Sequence, residues 1–209
     1  MAENEVLKIF DHNYQQISTA TRQVIHSQGF WHETFHCWFY TIKEHELIVY
    51  FQKRASQKKD FPNQLDITAA GHLLAEETVI DGFREVKEEL GIDVSIDQAQ
   101  FLGVFPVEIA LENFIDNEFT NVYLVDQELL LGDFYLQEEE VSCIFSVPLS
   151  TLKELFENPS AEAILKGVTQ KNGQQEIIEE YFSKKDFCAN AQSYYDRLIE
   201  SFEKILEIQ

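Results

Sequence analysis

Apolar and β-branched residues gather in short runs along residues 1–149, and this pattern predicts strands. Two neighbouring runs, FHCWFYTI and ELIVYFQKR, are joined by polar residues around His45 that predict a turn. STATRQVIHS has helical spacing after a Ser/Thr start, and KKDFPNQLD is a polar loop. The remaining strand-like runs are EVLKIFD, VSIDQAQFLGVFPVEI, NEFTNVYLVD and VSCIFSVPL.

From Ser150 onward, apolar residues recur at the three- and four-residue spacings of helices. The segments with this spacing are LSTLKELFE, AEAILKG, QEIIEEYFSK and SYYDRLIESFEKILE. We therefore expect an α+β fold, with a mixed β-sheet sandwiched between helices. Residues 1–149 would form the main domain with an N-terminal strand and helix, and residues 150–209 a helical C-terminal extension packed on that domain.

One internal helix, expected over Val79–Leu90, has sharply different sides. Thr78 stands at its N-cap position with Asp81 three residues on, a partial capping box, and Gly91 is a natural stop. Gly82 is unfavourable inside a helix and therefore predicts close packing against the sheet. The apolar side carries Val79, Phe83, Val86 and Leu90, and the opposite side carries Glu85, Glu88 and Glu89.

The chain is strongly acidic, with a formal net charge of −21 at pH 7. A protein that binds a nucleic-acid polymer or an anionic membrane needs a basic face, so we expect neither partner. No apolar run approaches the roughly 20 residues of a membrane helix, and the N-terminus lacks a signal-peptide pattern. The cysteines Cys37, Cys143 and Cys188 are widely spaced without a CxxC pair, which favours reduced thiols and a cytoplasmic location.

The acidic side of the helix is the strongest chemical feature of the sequence. Carboxylates at these spacings repel one another, and a solvated acidic face is the usual outcome of such a charge run. Here, however, the helix follows the glycine-bearing loop TAAGH and a further acid, Glu77. Hard divalent cations such as Mg²⁺ bind carboxylates together with substrate phosphates. We therefore interpret the cluster as a metal-binding platform.

The segment REVKEELGI, residues 84–92, resembles the second half of the Nudix box, Gly-x5-Glu-x7-Arg-Glu-apolar-x-Glu-Glu-x-Gly-apolar, at every fixed position. The first half departs from the pattern. Counting from Gly71 reaches Glu77, whereas counting back from Arg84 reaches Glu76. A loop shortened by one residue accounts for the difference and leaves both glutamates as candidates.

The resemblance implies a Nudix fold and a hydrolase of nucleoside diphosphate derivatives that uses Mg²⁺ or Mn²⁺. By position, Glu85, Glu88 and Glu89 would bind the metal, and Glu88 or Glu89 could also act as the base. Arg84 would orient these glutamates, and Gly71 would offer its backbone carbonyl to the metal. The general chemistry agrees, because a cation neutralises pyrophosphate and activates water. A homodimer is the reasonable expectation for the family.

Outside the box the chain resembles the isopentenyl-diphosphate isomerase branch of this superfamily. The resemblance is carried by VIHSQGFWHETFHCWFY, QKRASQKKDFPNQLDITAAGH and DNEFTNVYLV. The isomerase needs a cysteine just before its Gly-His pair, where this chain has Ala70, so hydrolysis is the stronger hypothesis. By the resemblance, a substrate site or second metal site would include His26, His32, His72, Asp116 and Glu118.

The substrate-binding candidates have structural alternatives. QKRASQKK places Lys53, Arg54 and Lys58 close together, either as a patch for a small phosphorylated ligand or as a solvated strand end. His32 lies among aromatic residues and could equally be a buried structural histidine. Glu118 begins an apolar strand, where a carboxylate is costly unless exposed or paired, so we count it among the catalytic candidates.

Further candidates are weaker. Stacking residues for a base could be Trp31, Phe35, Phe61 or Tyr123, and extra acids for the metal could be Glu139 and Glu140, although core and loop roles are commoner. His36 and His45 are treated as structural. Two other functions stay open, an isopentenyl-diphosphate isomerase-like enzyme and a catalytically silent Nudix ligand sensor. The intact acid set argues against the silent domain.

Overall fold

The computed structural model describes residues 4–111, 114–189 and 192–208. Within these ranges the chain forms a mixed sheet with helices on both faces, as the sequence predicts. The helices are α1 (Arg22–Gln28), α2 (Arg84–Leu90), α3 (Leu149–Glu157) and α4 (Gln192–Ile208). The strands are β1 (Val6–Phe10), β2 (Gln16–Thr21), β3 (Trp31–Lys43), β4 (Glu46–Arg54), β5 (Leu65–Asp66), β6 (Ala69–His72), β7 (Ala99–Leu111), β8 (Phe114–Asp126), β9 (Val141–Pro148), β10 (Ala163–Lys171) and β11 (Gln174–Phe182).

Strand β3 organises the sheet. Along one edge it pairs in parallel with β8 from Trp31 to Tyr40. The other edge is therefore shared by β6, which pairs with Thr34–Cys37, and by β4, which pairs with Tyr40–Lys43. Because β4 and β6 pair with different parts of one edge, a side chain from α2 can reach between them.

Two apolar clusters cover the two faces of the sheet. On one face Trp38 and Tyr40 of β3 pack with α3 and α4. On the other face Phe35, Cys37 and Phe39 of the same strand pack with Val86 and Leu90 of α2. Alternate residues of β3 thus enter opposite cores, which explains why nearly the whole strand is buried.

The first predicted helix is shorter than expected. STATRQVIHS was expected to be helical, but its first part belongs to strand β2, which pairs with β1 from Val6↔Thr21 onward. The helix α1 begins only at Arg22 and ends at Gly29, whose φ of 66° is left-handed. Strand pairing has overridden the local spacing at the start of this segment.

The prediction of helices for two segments of the C-terminal region is wrong, because residues 163–171 and 174–182 are strands. AEAILKG and QEIIEEYFSK form the hairpin β10–β11, which extends the sheet beyond β9. Its turn contains Asn172 and Gly173 at φ 51° and 75°, the Asn-Gly pair typical of a two-residue hairpin. The flanking helices α3 and α4 are present as predicted.

The acidic helix packs its apolar residues into the core as predicted, but its first half is wound as a 3₁₀ helix. Val79–Phe83 is a 3₁₀ turn that leads directly into α2. Thr78 and Asp81 form a full capping box, and Gly91 ends the helix at φ 70°. A Cβ atom on Gly82 would lie 2.5 Å from Phe35 Cγ, which confirms the predicted close packing on the sheet. No helix within the described ranges is long and apolar enough to cross a membrane.

Candidate active site

A cavity of about 300 Å³ is lined by residues of α2 and of the strands β3, β6 and β8. Most of the residues predicted for the site contribute to its wall. These include Arg54, Lys58, Gly71, His72, Arg84, Glu85, Glu88, Glu89, Asp116 and Glu118. The structure therefore brings the box residues and the isomerase-like residues to one place.

Arg84 is the hub of the box. Its Nε and Nη2 donate to the two carboxylate oxygens of Glu77 at 2.6 and 3.1 Å, and its Nη1 donates to Glu85 Oε1 at 2.6 Å. A weaker contact of 3.3 Å reaches Glu88. Burial opposes ionisation of Glu77, but the hydrogen bonds from Arg84 and from the Leu74 N–H outweigh it and leave the pKa of Glu77 below its ordinary value.

This arrangement separates the two glutamates that the sequence left open. Glu77 is half-buried and accepts hydrogen bonds from Arg84 and from the Leu74 N–H. Glu76 is exposed. In this geometry Glu77 occupies the box position that stabilises Arg84.

Glu85 points at the backbone of β6. A Cβ atom on Gly71 would lie only 2.0 Å from Glu85 Oε1, so the carboxylate occupies space that any side chain at position 71 would fill. Burial raises the pKa of Glu85 to about 7, partly offset by the charge of Arg84. A nearby cation stabilises the ionised form of such a carboxylate, which burial disfavours.

Glu89 is the most buried acid of α2. Its Oε2 accepts the Ala70 backbone N–H at 3.2 Å and the Gln52 side-chain amide at 3.1 Å. Burial, reinforced by the charge of Glu85, raises the pKa of Glu89 well above its ordinary value. Both of these hydrogen bonds end on the same oxygen, Oε2. Glu88, by contrast, is exposed at the rim.

These residues fit a divalent cation. Glu85, Glu88 and Glu89 line one cavity, and the absence of a side chain at Gly71 keeps backbone close to the carboxylate of Glu85. Oxygen donors of this kind are the ligands that Mg²⁺ and Mn²⁺ prefer. Arg84 donates hydrogen bonds to Glu85 and Glu88, but burial still disfavours the negative charge of Glu85 and Glu89 when no cation is bound.

A second group of donors comes from α1, β3, β6 and β8. His26 Nε2 lies 3.4 Å from both His72 Nε2 and Asp116 Oδ1, and His32 Nε2 lies 3.5 Å from Asp116 Oδ1. Nitrogens of the three histidines lie within 4.8 Å of one another, as do donor atoms of His32, Asp116 and Glu118.

The state of these groups suits metal ligation. His32 is fully buried, and its Nε2 has no hydrogen-bond partner among the described residues. Burial lowers the pKa of His32 to about 4 and that of His72 well below its ordinary value, so both imidazoles are neutral. Neutral imidazole is the metal-binding form. Burial opposes ionisation of Asp116, but His26 and His32 keep its pKa below the ordinary value.

The basic segment divides between two places. Arg54 donates to Asp66 Oδ2 at 2.7 Å and to the Asp60 carbonyl at 3.0 Å, on the cavity wall. Lys58 pairs with Glu140, and both line the cavity. Lys53 lies outside the cavity wall and pairs with Glu180 of β11 at 2.5 Å. The structure therefore brings two of the three predicted cations to the site.

The aromatic candidates divide similarly. Phe61 lines the cavity. Trp31, Phe35 and Tyr123 are buried and pack against other aromatic rings, so they are core residues. Cys37 is also buried, on the face of β3 that packs on α2, whereas Ala70 lines the cavity.

The residues missed from the sequence include four polar ones at the cavity: Arg22, His36, Gln52 and Asp66. Arg22 opens α1, and Gln52 lies in an apolar strand. His36 had been treated as structural, yet it lines the cavity. The sequence signal for Gln52 was its amide side chain within the apolar run ELIVYFQKR, because a buried amide requires a hydrogen-bond partner.

Comparison with known proteins identifies relatives of this chain. No family model matches it. It is 31% identical over 194 residues to an uncharacterized Nudix hydrolase of Clostridium acetobutylicum, a match that spans 92% of this chain and 94% of the relative. It is 36% identical over 132 residues to Nudix hydrolase 3 of Arabidopsis thaliana, spanning 61% of this chain and 17% of that protein.

Solved structures show the same fold. A Deinococcus radiodurans protein superposes with a TM-score of 0.51 at 18% identity, covering 71% of this chain and 86% of its own. A MutT/nudix family protein from Enterococcus faecalis gives a TM-score of 0.50 at 17% identity, covering 84% of this chain and 62% of its own. With a relative matched along nearly its whole length and the box residues gathered at one cavity, the chain belongs to the Nudix hydrolases, enzymes that act on phosphorus-containing acid anhydrides.

Proposed function

We propose that the protein cleaves the phosphoanhydride bond of a nucleoside diphosphate derivative or a similar small phosphorylated molecule, with Mg²⁺ or Mn²⁺ as cofactor. The observation that carries this proposal is the convergence of Glu85, Glu88 and Glu89 on one cavity beside Arg84. A domain without catalysis has no need for two mutually repelling carboxylates of raised pKa, the half-buried Glu85 and the buried Glu89.

The chain's own residues have distinct tasks in this reaction. Glu85, Glu88 and Glu89 would hold the cation, and the Gly71 backbone would add a carbonyl ligand. When bound, the cation offsets the negative charge of the diphosphate and acidifies water. Arg84 keeps the carboxylates in place through Glu77. Glu88 or Glu89 accepts the proton of the attacking water, and their different exposure makes the choice testable.

Three further residues of the cavity wall suit the substrate. Arg54 and Lys58 present positive charge near the carboxylates, so phosphate groups can lie between cation and side chains. Phe61 offers an apolar surface to the group that the phosphates carry. Lys53 is not part of this proposal, since it lies away from the cavity wall.

The histidine group supports a second metal site beside the cavity, whose wall includes His72, Asp116 and Glu118. His26, His32 and His72 with Asp116 and Glu118 offer a mixed nitrogen and oxygen donor set. Imidazole favours transition metals over Mg²⁺, so this site would prefer Mn²⁺ or Zn²⁺. Glu118 then serves through this site, and burial with the charge of Asp116 raises its pKa well above its ordinary value.

The isomerase-like alternative has one structural argument for it and one against it. The histidine group is formed, but Ala70 places a methyl group where the isomerase needs a thiol. Isomerisation is therefore disfavoured and remains an arm of the test.

The test is nucleotide and phosphate release from a panel of nucleoside diphosphate derivatives with Mg²⁺ or Mn²⁺, with isopentenyl diphosphate included under an isomer assay. Glu89→Gln is run beside Glu139→Gln, a nearby acid that does not line the cavity. We expect metal-dependent hydrolysis that falls at least about 100-fold in Glu89→Gln and is retained in the control. Isomerisation without hydrolysis, or no turnover of any substrate, would contradict the proposal.

A further inference from the structure

Three side chains link the C-terminal helix to the cavity wall. Trp38 Nε1 lies 2.8 Å from Tyr194 Oη, and Tyr194 Oη lies 2.9 Å from His36 Nδ1. Tyr194 belongs to α4 and is 2% exposed, whereas the other two residues lie on the same face of β3. Both hydrogen bonds therefore lie among buried side chains.

The direction of these hydrogen bonds follows from the chemistry of the groups. The Trp38 indole N–H can only donate, so Tyr194 Oη accepts from it. The Tyr194 hydroxyl hydrogen then needs an acceptor, and His36 Nδ1 is the other partner at hydrogen-bond distance. A buried hydroxyl hydrogen without an acceptor is costly, so the hydroxyl donates to Nδ1.

The tautomer of His36 is thereby set. An Nδ1 that accepts a hydrogen bond carries no hydrogen, so the ring is neutral and its hydrogen lies on Nε2. Nε2 is 3.9 Å from Glu118 Oε2, which is too far for a hydrogen bond. His36 lines the cavity, and it belongs to neither group of potential metal ligands among the described residues.

We propose that His36 is a substrate-binding residue whose Nε2–H donates to a phosphoryl oxygen in the cavity, and that Tyr194 is the positioning residue that fixes its tautomer. This inference rests on the proposed function, because the phosphoryl group is the acceptor that such a substrate supplies. It gives α4 a part in substrate recognition, since the helix provides the hydroxyl that directs the imidazole.

The first experiment measures the tautomer by two-bond ¹H–¹⁵N NMR of the histidine rings, with His36→Gln used for assignment. We expect the hydrogen of His36 on Nε2 in the unmodified protein, with loss of that single tautomer in Tyr194→Phe. The matched control is Tyr195→Phe, which deletes the neighbouring buried hydroxyl that donates to the Cys188 carbonyl at 3.4 Å and should leave the His36 signals unchanged. A hydrogen on Nδ1, or no response to Tyr194→Phe, would overturn the inference.

The second experiment measures binding of inorganic pyrophosphate with Mg²⁺, followed at the His36 ring signals and by calorimetry. His36→Leu removes the donor, and His36→Gln places an amide N–H near the position of Nε2. We expect Kd to rise about tenfold in His36→Leu and to stay within about threefold in His36→Gln. Equal affinity in all three proteins would overturn the inference.

These readouts separate the inference from the proposed function, since neither needs turnover. A protein that hydrolyses nothing but shifts its His36 signals with pyrophosphate would refute the function and support the binding role. If hydrolysis is found, we expect His36→Leu to raise KM about tenfold with kcat little changed, which indicates uniform binding. If His36→Leu does not fold, the tautomer in the unmodified protein still decides.

Discussion

Arg84 grips Glu77 side-on, with its Nε and Nη2 at 2.6 and 3.1 Å from the two carboxylate oxygens. Because the same guanidinium donates to Glu85, the loop residue and the helix carboxylate are fixed as one unit. Side-on pairs of this kind have both strength and a defined orientation. The position of Glu85 in the cavity therefore depends on a residue outside the helix.

Glu77→Gln tests whether Glu77, and not the neighbouring Glu76, is the glutamate that holds Arg84. We expect a loss of about 1–3 kcal/mol in the free energy of unfolding and a fall of about 10- to 100-fold in kcat/KM, because Arg84 loses its charged partner. Glu76→Gln is the matched control, since Glu76 is exposed and should change stability by no more than about 0.5 kcal/mol. Urea unfolding and steady-state kinetics measure both. Equal effects of the two substitutions would contradict the assignment of Glu77.

Gly71→Ala should disable the site while leaving the fold largely intact. The added Cβ would meet the end of the flexible Glu85 side chain, so the carboxylate must move away from the cavity. We expect the metal concentration for half-maximal activity to rise at least about tenfold.

Gly82→Ala provides the contrasting result. Its Cβ would meet the ring of Phe35 in the core, so the free energy of unfolding should fall by about 1–3 kcal/mol while the metal requirement stays unchanged. Thermal unfolding and metal titration of both variants make the comparison. An unchanged metal requirement in Gly71→Ala would contradict the inference that metal binding needs the Glu85 carboxylate to lie close to the backbone of Gly71.

Gln52→Leu tests how Glu89 is held. The substitution removes one of the two hydrogen bonds to Glu89 Oε2, so we expect weaker metal binding by about tenfold. Gln170→Leu is the control, because the partners of its amide within the described part of the chain are Leu136 and Gln175, neither of which lines the cavity. Both should lose stability, but calorimetry with Mn²⁺ should show a change only for Gln52→Leu.

Lys58→Gln tests the predicted phosphate contact. Lys58 lines the cavity beside Glu140, and we expect its loss to raise KM about three- to tenfold with kcat little changed. Lys53→Gln is matched in chemistry and sequence position, but that lysine pairs with Glu180 of the hairpin. It should leave KM unchanged, and an equal rise in KM for both would show that only net charge matters.

The buried thiol of Cys143 gives a pH prediction away from the site. Burial raises the pKa of Cys143 from 9.0 to about 12, an effect that the charge of Glu180 reinforces. As pH rises above 9, the unfolded chain loses this proton while the folded chain keeps it. The stabilising contribution is therefore complete below pH 9 and lost progressively toward pH 12.

At pH 10 this loss amounts to about 1.4 kcal/mol. Urea unfolding of the wild type and of Cys143→Ala at pH 8 and pH 10 isolates it, since the variant lacks that part of the pH dependence. Ellman's reagent at pH 8 should leave the three buried thiols of the folded protein unmodified. Rapid modification of Cys143 in the native state would show that the thiol is accessible.

The sequence predicted the parts of the site that lie on one element. The helix α2 could be oriented from the spacing of its apolar residues, and its C-terminus from Gly91, because these signals are local. The same reasoning failed for the β10–β11 hairpin, where Glu and Ile residues at mixed spacing resemble an amphipathic helix. The pairing of β10 with β9 decided the outcome, and the Asn172–Gly173 turn was the overlooked signal.

Contacts between distant segments could not be predicted. His36 and Tyr194 are 158 positions apart, and nothing near His36 shows that a hydroxyl from α4 will meet it. Gln52 reaches Glu89 only because β4 and β6 diverge along one edge of β3. Both outcomes depend on tertiary packing, which spacing along the chain does not encode.

The parallel pairing of β3 with β8 has a consequence for how the cavity comes into being. Thr34 and Glu118, 84 positions apart, meet only when that ladder is closed in its native register. A shift of the β8 register by one residue would turn Asn117 and Phe119 to the cavity face in place of Asp116 and Glu118. Long-range parallel pairing is slow to form, so we expect the ligand-binding residues of β3 and β8 to come together late in folding. A ligand bound by these residues would then report that β3 and β8 have paired in the native register.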